Sequence, residues 1–174
     1  REGGSSQQKA NEDGFKVIPI EDAVFDADVI AILLPDQVMA TVYNQSIAPN
    51  LSAGNILQFS HGYNIHYGKI IPPKDVDVMM VAPSGAGRMV RQEFEKGSGV
   101  PNLIAIHQDY SGAAFDMALS YSKAIGGTRS AAFKSTFKEE TETDLFGEQV
   151  VLTGGIPKLI KNSFKVMVES GYSP

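Results

Sequence analysis

Apolar and polar positions fall in blocks along the chain. Residues 16–20, 28–35, 54–60, 76–83 and 102–107 are short runs rich in Val, Ile, Leu, Met or Phe. Each run is bounded by Gly, Pro, Asn or Asp, which predicts strands. The runs are nearly continuous rather than alternating, the pattern of strands covered on both faces of a parallel sheet. Between them, residues 6–13, 21–27, 37–47, 88–96 and 113–125 predict helices. Strand, helix and strand in repetition imply right-handed crossovers and a doubly wound α/β fold.

That regularity stops near Lys134. From Phe137 two helical patterns, 139–152 and 156–170, follow one another across Thr153-Gly154-Gly155. Pro157 stands where a first helical turn tolerates it, and Gly171 where a helix ends. A boundary at about residue 135 therefore separates an α/β unit, residues 1–134, from the start of an all-α unit, residues 135–174. No solenoid-length repeat and no low-complexity tract interrupts this order.

Composition narrows the class. With 174 residues, 43% hydrophobic and 20% charged, the chain can bury a proper core and is not a disordered tail. Fifteen basic against twenty acidic side chains leave a net charge of -5, which argues against a general grip on nucleic acid or an anionic membrane. No cysteine means no disulfide, no thiolate metal site and no thiol nucleophile. The longest apolar runs fall far short of the roughly 20 residues that span a bilayer. The opening Arg1-Glu2-Gly3-Gly4-Ser5-Ser6 offers no apolar stretch for a signal peptide, so the expectation is a cytoplasmic protein.

Candidate chemistry lies between the blocks. The opening loop leads into a helix N-terminus, where free N–H groups, the Arg1 guanidinium and the Ser5 and Ser6 hydroxyls suit a phosphate monoester. In a dinucleotide fold this is where the adenosine ribose is read, and arginine there favours a 2'-phosphate. Glu2 is an awkward neighbour, and a polar terminus with Ser6 as helix cap is the alternative. The G-x-G-x-x-G fingerprint is missing; Gly85-Ala86-Gly87 comes closest but follows a late strand. Leu33-Leu34-Pro35-Asp36-Gln37-Val38-Met39 puts Pro-Asp at the carboxyl end of a strand, the ligand-binding edge of open α/β sheets, or makes Asp36 a helix cap.

Ser60-His61-Gly62-Tyr63-Asn64-Ile65-His66-Tyr67 brings two of three histidines into one loop. His61 there is suited to proton transfer. A metal pair with His66 lacks a third nitrogen or sulfur ligand nearby. His107, inside an apolar run, reads as a core histidine. On a helix Glu140, Asp144 and Glu148 share one face at spacings of four. Like charges so placed repel, and a hard divalent cation such as Mg2+ or Mn2+ would offset this; a solvated acidic face is the alternative.

Taken in order, these stretches resemble ketol-acid reductoisomerase (acetohydroxy acid isomeroreductase). The carriers are Ala27-Asp28-Val29-Ile30 with Leu33-Leu34-Pro35-Asp36, Ser60-His61-Gly62-Tyr63-Asn64-Ile65-His66, Met80-Val81-Ala82-Pro83 and Ile106-His107-Gln108-Asp109. The most specific is Thr136-Phe137-Lys138-Glu139-Glu140-Thr141-Glu142-Thr143-Asp144-Leu145-Phe146-Gly147-Glu148-Gln149. The resemblance implies a Rossmann-type doubly wound parallel sheet whose first strand and glycine-rich loop precede Arg1, followed by part of a helical domain that continues beyond Pro174.

It implies NADPH held by Arg1 with Ser5 or Ser6, by Asp36, Gln37, Val38 and Met39, and by Gly87. It implies His61 as the active-site histidine, and Asp144 and Glu148 as ligands of two Mg2+ ions in the complete site. The implied reaction is alkyl migration in 2-acetolactate or 2-aceto-2-hydroxybutyrate and reduction to a 2,3-dihydroxy acid, in valine and isoleucine biosynthesis. A homodimer or higher homo-oligomer is implied, and little turnover from the 174 residues alone. Ser84 stands where the family usually has lysine. The competing readings are another NADP-dependent hydroxy-acid dehydrogenase and a non-catalytic nucleotide-binding or assembly fragment.

Overall fold

The computed structural model describes residues 3–174. Among the described residues, strands β1 (Val29–Ile32), β2 (Ile56–Phe59), β3 (Asp77–Pro83), β4 (Asn102–Gln108) and β5 (Ala132–Lys134) form one sheet in that spatial order. The helices are α1 (Ser5–Glu12), α2 (Ile20–Phe25), α3 (Asp36–Val42), α4 (Tyr63–His66), α5 (Gly87–Glu95), α6 (Ala114–Ala124), α7 (Phe137–Leu145) and α8 (Ile156–Glu169).

The sheet has an apolar cluster on each face. Ile30, Ile32, Leu57, Phe59, Val78 and Met80 pack under Val24 of α2, Met39 of α3, Tyr43, Ile65 of α4 and Phe137 of α7. On the opposite face Ile56, Met79, Val81 and Ile104 meet Ala118, with Tyr121 and Ile125 alongside. Two-sided burial is the physical reason the strands read as continuous apolar runs.

Three features depart from the sequence pattern. First, the sheet is mostly, not wholly, parallel: β3 and β4 run antiparallel, with Pro83 opposite Asn102. The α5 segment returns the chain to the end of the sheet where β3 finished, and an apolar run looks the same in either direction. Second, residues 16–20 form no strand. Pro19, lacking an N–H, precedes the first turn of α2, and Val17 and Ile20 remain partly exposed. The short β5 takes a place at the other edge, beside β4. Third, Thr153-Gly154-Gly155 does not break the helix after α7.

The backbone continues through a wide π-type stretch, Phe146–Gly155, directly into α8. A Cβ on Gly154 would lie 2.6 Å from the Gln149 carbonyl oxygen, and one on Gly155 2.8 Å from that of Val150. The glycines let these wider turns close on the carbonyl five residues back. Pro157 does lie in the first turn of α8, and Gly171 ends it at φ +92°.

Smaller corrections concern caps and His107. Gly4, not Ser6, caps α1, and Pro35, not Asp36, caps α3. His107 is exposed on β4 with its ring edge-on to Phe137 at 5.6 Å, so it is not a core histidine. Among the described residues no helix is long and apolar enough to cross a membrane.

Tyr43 lies in the core at 1% exposure, and its hydroxyl has no partner among the described residues. An unpaired buried hydroxyl costs stability that its removal restores. Tyr43→Phe should therefore stabilise the fold by roughly 1 kcal/mol, read as a raised midpoint in chemical denaturation; a loss of stability would show that the hydroxyl is satisfied.

Candidate active site

Three loop-helix junctions converge at the carboxyl ends of β1 and β2. After β1 the chain passes Leu33-Leu34-Pro35 into the first turn of α3; after β2 it passes Ser60-His61-Gly62 into α4. The third is α7, whose start is set locally. Thr136 caps it by accepting a hydrogen bond from the Glu139 N–H at 3.0 Å, and Glu139 three residues on has the capping-box spacing.

Glu140 joins α7 to the β2 loop. It is 3% exposed, and both carboxylate oxygens are engaged. His61 Nδ1 donates to Oε1 at 2.8 Å and the Gly62 N–H donates to Oε2 at 2.8 Å. The contact is possible only because residue 62 is glycine. A Cβ there would collide with Thr141 Oγ1 and lie 2.6 Å from the Phe137 carbonyl oxygen. Its φ of -84° is ordinary, so the requirement is for space rather than backbone freedom. A second link runs from His66 Nε2 to Glu142 at 3.2 Å.

Asp144, one turn after Glu140, brings an oxygen 3.6 Å from the same His61 nitrogen. One ligand atom from each of His61, Glu140 and Asp144 lies within 4.8 Å of the others. The hydrogen bond to Glu140 pushes the His61 pKa above its ordinary value; burial opposes this, and the charges of Glu140, Asp36 and Asp144 reinforce it. The Asp144 pKa is also raised, first by burial and then by Glu140, Glu148 and Asp36, with His61 pulling the other way. With Nδ1 carrying a proton toward Glu140, His61 Nε2 is free to meet a substrate. The carboxylates form an oxygen donor set suited to a hard cation.

The residues expected from sequence are distributed unevenly around this centre. His61 and Asp144 meet in it. Asp36 is near enough for its charge to act on both, whereas Glu148, in the exposed π-type stretch, acts on Asp144 without joining the cluster. Gln37 and Val38 are exposed in the first turn of α3, while the Met39 side chain is in the core. Gly87 opens α5 and, with Leu33, Ser60 and Tyr121, lines a cavity of about 380 Å³ at the strand ends. Ser5 and Ser6 are exposed at the start of α1, remote in sequence from the cluster. Arg1 lies outside the described residues. An apolar groove of about 420 Å³ along β1 is lined by aliphatic side chains and has no convergent polar group.

Glu140 was on the acidic face that the helical spacing picked out, but only the tertiary contact with His61 and Gly62 gives it a role. Helical periodicity reports which residues share a face; it does not report what covers that face.

Comparison with known proteins bears on this geometry. A family model described as acetohydroxy acid isomeroreductase, NADPH-binding domain, matches residues 1–131. A second, ketol-acid reductoisomerase, C-terminal domain, matches residues 137–174. The solved structure of an NADH-preferring ketol-acid reductoisomerase from an uncultured archean is 48% identical, with a TM-score of 0.94 over 98% of this chain and 52% of its own. The chain thus spans about half the length of that relative. A putative oxidoreductase from Jannaschia sp. CCS1, at 12% identity, covers 99% of this chain and 65% of its own with a TM-score of 0.79. A semialdehyde dehydrogenase NAD-binding protein from Cupriavidus necator, in complex with calcium and NAD, is 18% identical over 96% of this chain and 63% of its own, with a TM-score of 0.70. The last two share the fold.

Two outcomes test the centre. A histidine with a raised pKa contributes stability that is full below its unfolded value and is lost as pH rises through the folded one. NMR titration of the His61 ring in EDTA should therefore give a midpoint above that of a free histidine. In Glu140→Gln the midpoint should fall, because burial then acts with only Asp36 and Asp144 against it; an unchanged midpoint would remove Glu140 as the cause. Gly62→Ala should destabilise by about 1–3 kcal/mol, measured by thermal or denaturant unfolding, since α4 and α7 must part to admit the methyl group; wild-type stability would contradict the close approach.

Proposed function

The chain belongs to the ketol-acid reductoisomerase family, and from that premise we propose that it supplies the nicotinamide-binding half of the active site, with part of the metal-binding half, to an NADPH- and Mg2+-dependent ketol-acid reductoisomerase. The proposed substrates are 2-acetolactate and 2-aceto-2-hydroxybutyrate, and the product a 2,3-dihydroxy acid on the route to valine and isoleucine. The observation that carries the reading is the His61–Glu140–Asp144 cluster at the carboxyl ends of β1 and β2, on a chain of this family. That edge is where open α/β sheets bind their ligands.

The residues present fit a hard divalent cation. Asp144 and Glu148 are the proposed Mg2+ ligands: their oxygens are the donor type such an ion takes, and the negative charges of Glu140, Glu148 and Asp36, which add to burial in raising the Asp144 pKa, would be offset by a cation. When bound, Mg2+ supplies Lewis-acid stabilisation of negative charge on substrate oxygens during the alkyl shift, and the nicotinamide supplies hydride. His61 holds a proton on Nδ1 toward Glu140 and presents Nε2 to substrate. Glu140, fixed by the Gly62 N–H, orients that ring. The Asp36–Met39 turn and Gly87 are proposed to border the cofactor; Gly87 lines the cavity that also reaches Leu33 and Ser60.

Arg1, Ser5 and Ser6 carry the choice of NADPH through the 2'-phosphate. A preference for NADH is the second reading, favoured by the NADH-preferring relative and by Glu2 beside Arg1. The division at about residue 135 is proposed as the boundary between the cofactor domain and the helical domain. The latter leaves Leu159, Ile160, Phe164 and Met167 of α8 exposed, an apolar face that calls for a covering partner; the enzyme is proposed to be homo-oligomeric and cytoplasmic.

Asp144→Asn in the full-length enzyme should lower Mg2+-dependent turnover of 2-acetolactate by roughly 10²- to 10³-fold, with NAD(P)H binding retained. Undiminished turnover would overturn the metal assignment, and turnover independent of Mg2+ would favour a different hydroxy-acid dehydrogenase.

A further inference from the structure

Asn64 is 1% exposed, and a polar side chain that deeply buried must find partners. It lies in α4, the single helical turn that follows His61-Gly62. Its backbone carbonyl accepts from the Lys69 and Ile70 N–H groups at 2.8 and 3.0 Å, closing the chain behind α4. Its side chain reaches the other way. Nδ2 donates to Asp36 Oδ1 at 2.9 Å, with the Asp36 carbonyl oxygen and Met39 Sδ each at 3.4 Å.

Asp36 is the first residue of α3, and its Oδ1 accepts from the Asn64 amide. Its carboxylate is turned to α4 and the amide of Asn64. A carboxylate accepts only, and the Asn64 amide is a donor fixed by burial, so the pair has one sense and one geometry. The same carboxylate lies at the edge of the His61 and Asp144 field. Two loops from two strands, the one after β1 and the one carrying the histidine, are thereby joined through the contacts of one buried amide.

We infer that Asn64 is a positioning residue that ties the Asp36–Met39 turn to the His61-Gly62 loop, so that the cofactor-side turn and the imidazole are placed together. What each end does chemically rests on the proposed function; the tie itself rests on the geometry. Without the amide, the Asp36 carboxylate and the turn that carries it lose their anchor to the histidine loop. Asn64→Leu keeps the volume and removes the donor. Asn64→Ser keeps a donor in a smaller side chain and serves if the leucine variant does not fold.

The test uses the full-length protein. Amide hydrogen exchange, measured without ligands, should rise by about tenfold at residues 36–39 and 61–66 in Asn64→Leu while α6 is unchanged, an amount equal to one tenfold step in a local equilibrium. In the same variant the KM for NAD(P)H should rise about tenfold and kcat should fall, with the Mg2+ activation constant unaltered. In an Asp36→Ala background, Asn64→Leu should change the KM no further. Exchange that rises everywhere, or a KM effect of equal size with and without Asp36, would overturn the inference and leave Asn64 a packing residue. A wild-type protein that turns over no acetohydroxy acid would instead sink the proposed function, while the exchange result would still decide the tie.

Discussion

A buried carboxylate organises this site. Glu140 gives up nearly all its solvent, and a charge so placed must be met by donors or it unfolds its surroundings. The donors come from one short segment, the His61 ring and the Gly62 N–H, so α7 is bound to the loop after β2 at two points. Glycine at 62 lets α7 approach until the Phe137 carbonyl and Thr141 side chain fill the space a methyl group would need. Ring orientation, helix placement and the position of Asp144 one turn along all follow from that contact.

The sheet determines where this happens. β1 and β2 are parallel and deliver Asp36 and His61 to the same edge, while the hydrophobic cluster beneath them includes Met39, Ile65 and Phe137 from the three helices involved. The helices are thus held by apolar packing and aimed by polar contacts. The antiparallel return at β4 brings its first residue to that end as well, opposite Pro83. Ser135, near the start of α7, donates its N–H to the Ile104 carbonyl, which anchors the helix to the sheet it serves.

Electrostatics then separate the roles of the acidic groups. Glu140 is neutralised by donors from the protein, whereas Asp144 has burial and three negative neighbours acting on it and only His61 in its favour. The first is suited to orienting a ring, the second to receiving a cation. Asp36 belongs to both neighbourhoods through its charge, and Asn64 determines where that charge points.

Much of this was legible in the residues. Four of the five strands seen follow from apolar runs and their Gly, Pro and Asn boundaries, because burial on both faces of a sheet imposes that composition; of the helices between them α3 and α5 were legible, whereas the single turn of α4 read as a loop. The shared face of Glu140 and Asp144 follows from helical period, though the wider π-type turns take Glu148 out of the cluster, and His61 follows from its place after a strand. Direction of a strand did not: an apolar run carries no sign, and β4 reversed. Nor did the role of Glu140, since a shared face says nothing of the histidine that covers it 79 residues away in sequence. The chain alone determined which residues could carry the chemistry; which of them touch was decided by long-range packing, where a missing Cβ and a buried charge left one arrangement open.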